Sequence, residues 1–382
     1  METIFTFKFF ENTNELPDDW HKLAENNIFF SKKYLQVLEH SSPQNMTCRF
    51  IGIYQNDILE GISLTQLINL SKVSSFGVTK NCLKAAIRDF VFKNFASNVL
   101  FVGNNMVTGQ NAYVFSNNIA DKDGIVTLKK AVSQLKKEYK LQRNKVHITS
   151  FKDFAFPEKN LFKTSLFKKY FEFNTQPNMV FTNQESWINE EDYVASLNKK
   201  YRDQYKRARK KSELILKKQM NLDEILSNQN IIYNLYLNVS KNAPFNTFYL
   251  AENHFSNLKE LLEEKFLFYG YFLNDKLIGF NTMIVNGNIL DTYFLGYDVE
   301  HQKEKMLYLN MLYDMIGYAI TKKYTKLIFS RTALEIKSSV GAKPIEMVGF
   351  VSHSNVIINI FIGRLFTFFD PKVGWIERNP FK

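Results

Sequence analysis

The decapeptide QNDILEGISL at residues 55–64 returns in outline as LNDKLIGFNT at residues 273–282. Each follows an apolar run, residues 49–54 in the first case and 266–272 in the second. Asn56-Asp57 and Asn274-Asp275 are residues that tolerate positive φ, and flanked by β-like runs they predict two tight hairpins. Gly61 and Gly279 then stand at the same place in the outgoing strands. The shared N-D-x-L-x-G with matching flanks predicts a duplicated unit.

Both halves continue alike. After Asn286-Gly287, residues 288–298 add a third strand to the second meander. Leu307, Met311, Met315, Ala319 and Ile320 follow at helical spacing, and residues 326–329 read as a further strand. In the first half, residues 125–140 are helical and residues 145–151 strand-like. Each half is thus expected to be a mixed α/β (α+β) unit, a mostly antiparallel sheet flanked by helices. The boundary is placed near residue 180, giving units 1–180 and 181–382. The second unit opens on a predicted helix with Asn189 as N-cap, Asp192 at N3 and Ile188 stapling to Tyr193. Val194, Leu197, Tyr201, Tyr205, Ala208 and Ile215 form its apolar stripe. Its other face is basic, with ten Lys or Arg in residues 199–218.

Composition bounds the function. The chain has 382 residues, 45% hydrophobic and 23% charged, which is globular usage. Its net charge of +11 predicts an anionic partner, although a sequence rich in Lys, Asn, Ile, Phe and Tyr also follows from base bias in the genome. Two cysteines, Cys48 and Cys82, are too few for a disulfide framework or a cysteine zinc site. The first residues lack the pattern of a secretory signal, and no apolar run reaches the ~20 residues of a membrane span. The expected location is the cytoplasm. Nucleophile-elbow, zinc-helix, P-loop and dinucleotide-binding patterns are all missing from the sequence, and the six histidines show no metal-ligand spacing.

Two copies of a meander, helix and strand unit around the basic stretch LNKKYRDQYKRARKK (residues 197–211) resemble the tandem GNAT-like acyltransferases. The group includes FemAB-like, peptidoglycan-biosynthesis and BioF-like acetyltransferase relatives. The resemblance is strongest over residues 185–355. It implies acyl transfer from a thioester to an amine, the donor being acyl-CoA or an acyl group on the phosphopantetheine of an acyl carrier protein, with no cofactor resident. An amphiphilic acceptor such as a lipid or envelope precursor is implied as well. The usual glycine-bearing pyrophosphate loop is replaced by residues 297–306, which hold no glycine. A donor with a single phosphate, or a charged tRNA, is therefore an alternative to coenzyme A. A non-catalytic RNA- or membrane-binding protein on the same fold is the alternative outside enzymes.

In the scheme that the resemblance implies, strand N–H groups of residues 290–297 bind the carbonyl oxygen. Glu335 is the first candidate base and Asp291 the second, with His353 in reserve; Tyr293 or Tyr297 is the acid. Lys303, Lys305, Arg331 and Lys337 are expected to hold the donor's phosphate. Arg202, Lys206, Arg207 and Arg209 are expected to present a basic face to an acidic carrier, RNA or an anionic membrane. Residues 355–371 form an apolar segment too short to span a bilayer, expected as a buried closing helix or a surface anchor that holds the protein at the inner membrane face.

Overall fold

A computed structural model describes residues 5–72, 95–242, 246–369 and 374–382. Cys82 lies outside the described residues, whereas Cys48 is free and buried. The chain divides into two compact units. The first comprises residues 1–175, 244–251 and 346–372, the second residues 176–243, 252–345 and 373–382. The change of unit at 175/176 lies near the expected residue 180. Each unit is discontinuous, however, which the expected halves 1–180 and 181–382 were not.

In the first unit β1 (Phe5–Phe10), β2 (Met46–Gln55), β3 (Ile58–Asn69) and β4 (Asn98–Val102) form an antiparallel run. The short β5 (Tyr113–Phe115) also pairs with β3. β6 (Ile148–Ala155) lies parallel to β4 after the crossover helix Asp121–Leu141. β7 (Phe171–Thr182) begins in the first unit, and its residues Met179–Thr182, in the second, are antiparallel to β12 (Lys326–Ser330). β12 is parallel to β11 (Ile289–Tyr297), across the helix Leu307–Thr321. β10 (Lys276–Asn286), β9 (Phe266–Leu273) and β8 (Leu216–Gln219) complete the sheet in antiparallel order. The last strand, β13 (Lys343–His353), pairs antiparallel with β6 from Met347 to His353. That ladder is why the chain's late segment belongs to the first unit: strand partners are chosen by backbone pairing and not by sequence proximity.

The duplication is visible in the register. Asn56, Asp57, Asn274 and Asp275 all have positive φ, between 49° and 61°, as a two-residue turn matched to strand twist requires. Gln55 pairs with Ile58 and Leu273 with Lys276. Each outgoing strand then carries one extra residue, Glu60 or Ile278, before its glycine rejoins the ladder. Each hairpin therefore bends at the same point.

The first unit buries one face of its crossover helix, and the second buries its helix on nearly all sides. Ile125, Leu128, Ala131, Val132 and Leu135 pack on Ile51, Ile53, Leu100 and Phe151 in the first. Leu307, Met311, Met315, Ala319 and Ile320 are all buried in the second, with Leu267, Ile278, Leu290 and Leu327. Full burial of each such side chain stabilises by about 1.5–3 kcal/mol. The helix expected to start at Asn189 is two helices. Asn189 and Asp192 form the capping box of Glu190–Ser196, and Asn198 caps a second helix, Lys199–Lys211. Leu197 between them is extended and bridges to Phe381. The expected staple does not form, because Ile188 is exposed while Tyr193 is buried.

Candidate active site

The parallel pairing of β11 with β12 lasts only three rungs, Ile289–Asp291 against Lys326–Ile328. β11 continues through Thr292 to Tyr297, still laddered to β10 as far as Gly279↔Tyr297. On the other edge of that stretch the backbone has parted from β12. A strand turns alternate N–H groups toward each edge, so this length of β11 directs donors into the gap. A bulge accounts for the parting: Asn281 pairs with Leu295 and Met283 with Thr292, so Thr282 alone faces Tyr293 and Phe294. The Thr282 hydroxyl donates to the Phe294 carbonyl at 2.5 Å. Bulges bend a strand, increase its twist and recur beside active sites.

The helix Gln229–Ser240 lies against this part of β11. Gly296 makes the approach possible, since a Cβ there would meet the backbone of Leu235 and Tyr236. The Tyr293 hydroxyl is 3.0 Å from Nε2 of His254, the two rings being nearly parallel with centroids 5.8 Å apart. His254 is fully buried at the start of helix His254–Leu262. Nothing in the sequence pairs these residues, which are 39 positions apart. Asp291 occupies the last rung before the strands part and is buried. Burial pushes its carboxyl up to about 7 against the opposing hydrogen bond from Asn286, and its Oδ2 has no hydrogen-bond partner among the described residues.

β12 leaves the sheet through an uncommon turn. Ser330, Thr332 and Ala333 all have positive φ, at 60°, 64° and 47°, a conformation that costs non-glycine residues energy and persists only where neighbours impose it. Lys337 is the neighbour that imposes it. Its ammonium donates to the carbonyls of Phe329 at 2.6 Å, Ser330 at 3.4 Å and Arg331 at 2.5 Å. All three of its N–H bonds are engaged, so Lys337 holds the turn instead of the donor phosphate expected of it. Burial pushes this ammonium down to about 7. Arg331 is half-buried, and burial pushes its guanidinium down to about 10.

The remaining expected site residues lie elsewhere. Glu335 is half exposed, its carboxylate taken up by Nε and Nη2 of Arg378. His353 belongs to the first unit: Nε2 meets the Phe95 carbonyl at 2.6 Å and Nδ1 receives the Asn355 N–H at 2.9 Å. With both nitrogens engaged, it has a structural place and not that of a reserve base. Lys303 is exposed and Lys305 pairs with Glu304 at 2.9 Å, both on the helix Val299–Lys305. The first turn of that helix is already occupied by the Asp298 carboxylate, which accepts the Glu300 N–H at 2.9 Å.

On the basic helix, Lys206 and Arg207 are exposed and Arg202 is half-buried. Arg209 is not part of an outward basic face. It bonds Glu190 at 2.5 Å and Asp314 at 2.8 Å, with its guanidinium beside Tyr205 and Tyr313. The network extends from Asp314 to the Tyr271 hydroxyl and on to Asn281, both at 2.8 Å. A planar five-donor group suits this double carboxylate clamp.

The corresponding region of the first unit is closed. β4 pairs with β6 at every rung from Val99 to Val102. The chain after β4 fills the space beyond, with Asn104, Met106, Val107 and Ala112 buried. Lys152 of β6 ties that loop down by donating to the carbonyls of Asn104 at 3.0 Å and Val107 at 3.4 Å, and it pairs with Asp153 at 2.5 Å.

No protein-family model matches the sequence, and no curated protein matches it. Among solved structures the chain is similar to FemX, with 11% identity and a TM-score of 0.52 over 93% of this chain and 99% of that one. It is also similar to a tandem GNAT protein from the clavulanic acid biosynthesis pathway, with 8% identity and a TM-score of 0.50 over 92% and 99%. The chain has the tandem GNAT fold. A conserved protein of unknown function from Bacteroides thetaiotaomicron shares it, at 10% identity and a TM-score of 0.51 over 91% and 99%. The tandem GNAT arrangement agrees with the strand pairings within the two units, each with one parallel and several antiparallel pairings, and among the described residues the strands part at the parallel pair of the second.

Proposed function

We propose that the second unit moves an acyl group from a thioester donor to an amine. The observation that carries this reading is the gap between β11 and β12, opened by the Tyr293–Phe294 bulge, beside a buried carboxyl and a Tyr–His pair. The neutral amine forms the new C–N bond, and the carbonyl electron pair moves onto oxygen. Backbone N–H groups of Thr292–Tyr297 stabilise that oxyanion, since fixed donors in a water-poor site need no reorganisation. Collapse breaks the C–S bond. The nitrogen's proton passes to Asp291, directly or through water, and the sulfur takes one from the Tyr293 hydroxyl, which His254 resupplies. One proton leaves nitrogen and one reaches sulfur, so the step balances.

The donor best suited to a first helical turn occupied by Asp298 is one that does not need a pyrophosphate cradle there, such as phosphopantetheine on an acyl carrier protein. Acyl-CoA is the next candidate. Charged tRNA is a second reading favoured by the exposed cations Lys206, Arg207, Lys210 and Lys211. The acceptor is an amine, for which a lipid or envelope precursor is the leading class. Intact-mass analysis of amines incubated with the three donor types tests the reading, and RNase treatment separates the tRNA route. Tyr293→Phe is expected to lower kcat by about 10²-fold, with the loss of its bond to buried His254 costing about 1–3 kcal/mol of stability and the fold retained. Product from no donor, or full turnover by Tyr293→Phe, overturns the assignment.

A further inference from the structure

The helix Val356–Phe369 in the first unit turns an apolar face outward. Val356, Ile357, Ile360 and Phe361 are 68%, 69%, 72% and 47% exposed. At a spacing of 3.6 residues per turn these positions share one side with the exposed Arg364. Ile362 points the other way and is buried, and Gly363 sits where a Cβ would strike the Phe171 ring. Of the two expectations for this segment, the described side chains match the surface one. Asn359 fastens the helix to the loop before β7 by donating to the Lys169 carbonyl at 2.8 Å. Between helix and loop runs an open groove of about 1020 Å³, whose rim carries Lys168, Lys169 and Arg364. Leu166, in the turn before β7, and Phe171, the first residue of β7, are also exposed, at 41% and 36%. The sequence of the helix, VIINIFIGRLFTFF, has no acidic residue.

We propose that this helix and its lysine-bearing rim dock the protein on an anionic lipid surface, the helix lying in the plane of the interface. At 1.5 Å per residue its 14 residues extend about 21 Å, short of the roughly 30 Å hydrocarbon core. Among the described residues no helix is long and apolar enough to cross a membrane. An exposed apolar stripe flanked by cations is the pattern of an interfacial helix: the branched side chains and Phe361 enter the acyl boundary while the long basic side chains reach the headgroups. Charge complementarity selects a lipid surface over a second copy of this chain, since two copies meeting here would bring Lys168, Lys169 and Arg364 against their own equivalents.

The inference is independent of the transfer reaction, because it rests on the first unit and is tested without turnover. The full chain is mixed with vesicles of zwitterionic lipid, with or without 30 mol% phosphatidylglycerol, and sedimented. Binding is expected to be about tenfold stronger on the anionic vesicles and to weaken as salt is raised. Ile360→Asp should abolish binding to both, and Lys168→Glu with Lys169→Glu should remove only the anionic preference, with unchanged thermal unfolding in each case. Tyr293→Phe should bind as the wild type does, which separates this test from that of the reaction. Equal binding to the two vesicle types, no binding to either, or a concentration-dependent dimer dissolved by Ile360→Asp overturns the proposal.

Discussion

Lys337→Met tests the account of the turn at the end of β12. Lys337 is buried, donates to three carbonyls and has its ammonium pushed from 10.5 down to about 7 by burial. Between those pH values the unfolded chain holds one proton more than the folded one, so stability rises with pH by about 1.4 kcal/mol per unit. Below about pH 7 the lysine is protonated in both states and the slope from this group vanishes. Methionine has similar reach and no proton to exchange. The stability of the variant relative to wild type should therefore fall by roughly 2 kcal/mol between pH 7 and pH 9, the slope being only half developed at pH 7 itself. Lys129 and Lys136 of the first unit, both pushed down by burial, add slopes of the same sign that cancel in the comparison. The assay is urea unfolding at four pH values in a Trp20→Phe background, so that fluorescence reports Trp187 and Trp375 of the second unit. Parallel pH profiles for wild type and variant would refute the lowered ammonium, and equal stability of the two at pH 6 would refute the role of its three hydrogen bonds in holding the turn.

Asp291→Asn should remove the acid limb of the pH–rate profile, because a carboxyl held up at about 7 works as a base only above that pH; wild-type rates should fall tenfold per unit below it. The same change should stabilise the protein at pH 8 more than at pH 4, since a raised carboxyl costs stability once it ionises. Arg209→Ala leaves Glu190 and Asp314 without their shared cation and should destabilise by about 3 kcal/mol in chemical denaturation; Arg209→Lys should restore only part of this. Glu335→Gln should leave turnover unchanged, because its carboxylate is engaged by Arg378 at the surface. A large loss of kcat would return Glu335 to the site.

Much of the architecture is written in local chemistry. Asn56-Asp57 and Asn274-Asp275 specify their turns because their own backbones accept positive φ. The Leu307 to Ile320 stripe specifies a helix face because side-chain direction follows backbone period. Asp291 and Tyr293 were legible as candidates from their place on the strand before that helix. His254 was not, because no spacing rule links it to Tyr293. The only signal for it would have been the expectation that a buried tyrosine hydroxyl finds a partner.

What the sequence by itself determined, then, is the repeated hairpin, the crossover helices and the stretch of strand on which the chemistry is proposed, all properties of residues within a few positions of one another. What only the tertiary structure decided is the standing of each charge and the state of each fork. Arg209 and Arg207 look alike in the sequence, yet one is clamped between two carboxylates and the other meets water. Lys337 and Lys303 differ in the same way. Burial is set by what the rest of the chain brings alongside, and the free energy of a charge depends on that neighbourhood far more than on its own side chain. The two forks diverge for the same reason: in the first unit Lys152 pulls a loop into the space, whereas in the second a bulge on β11 turns the strand away.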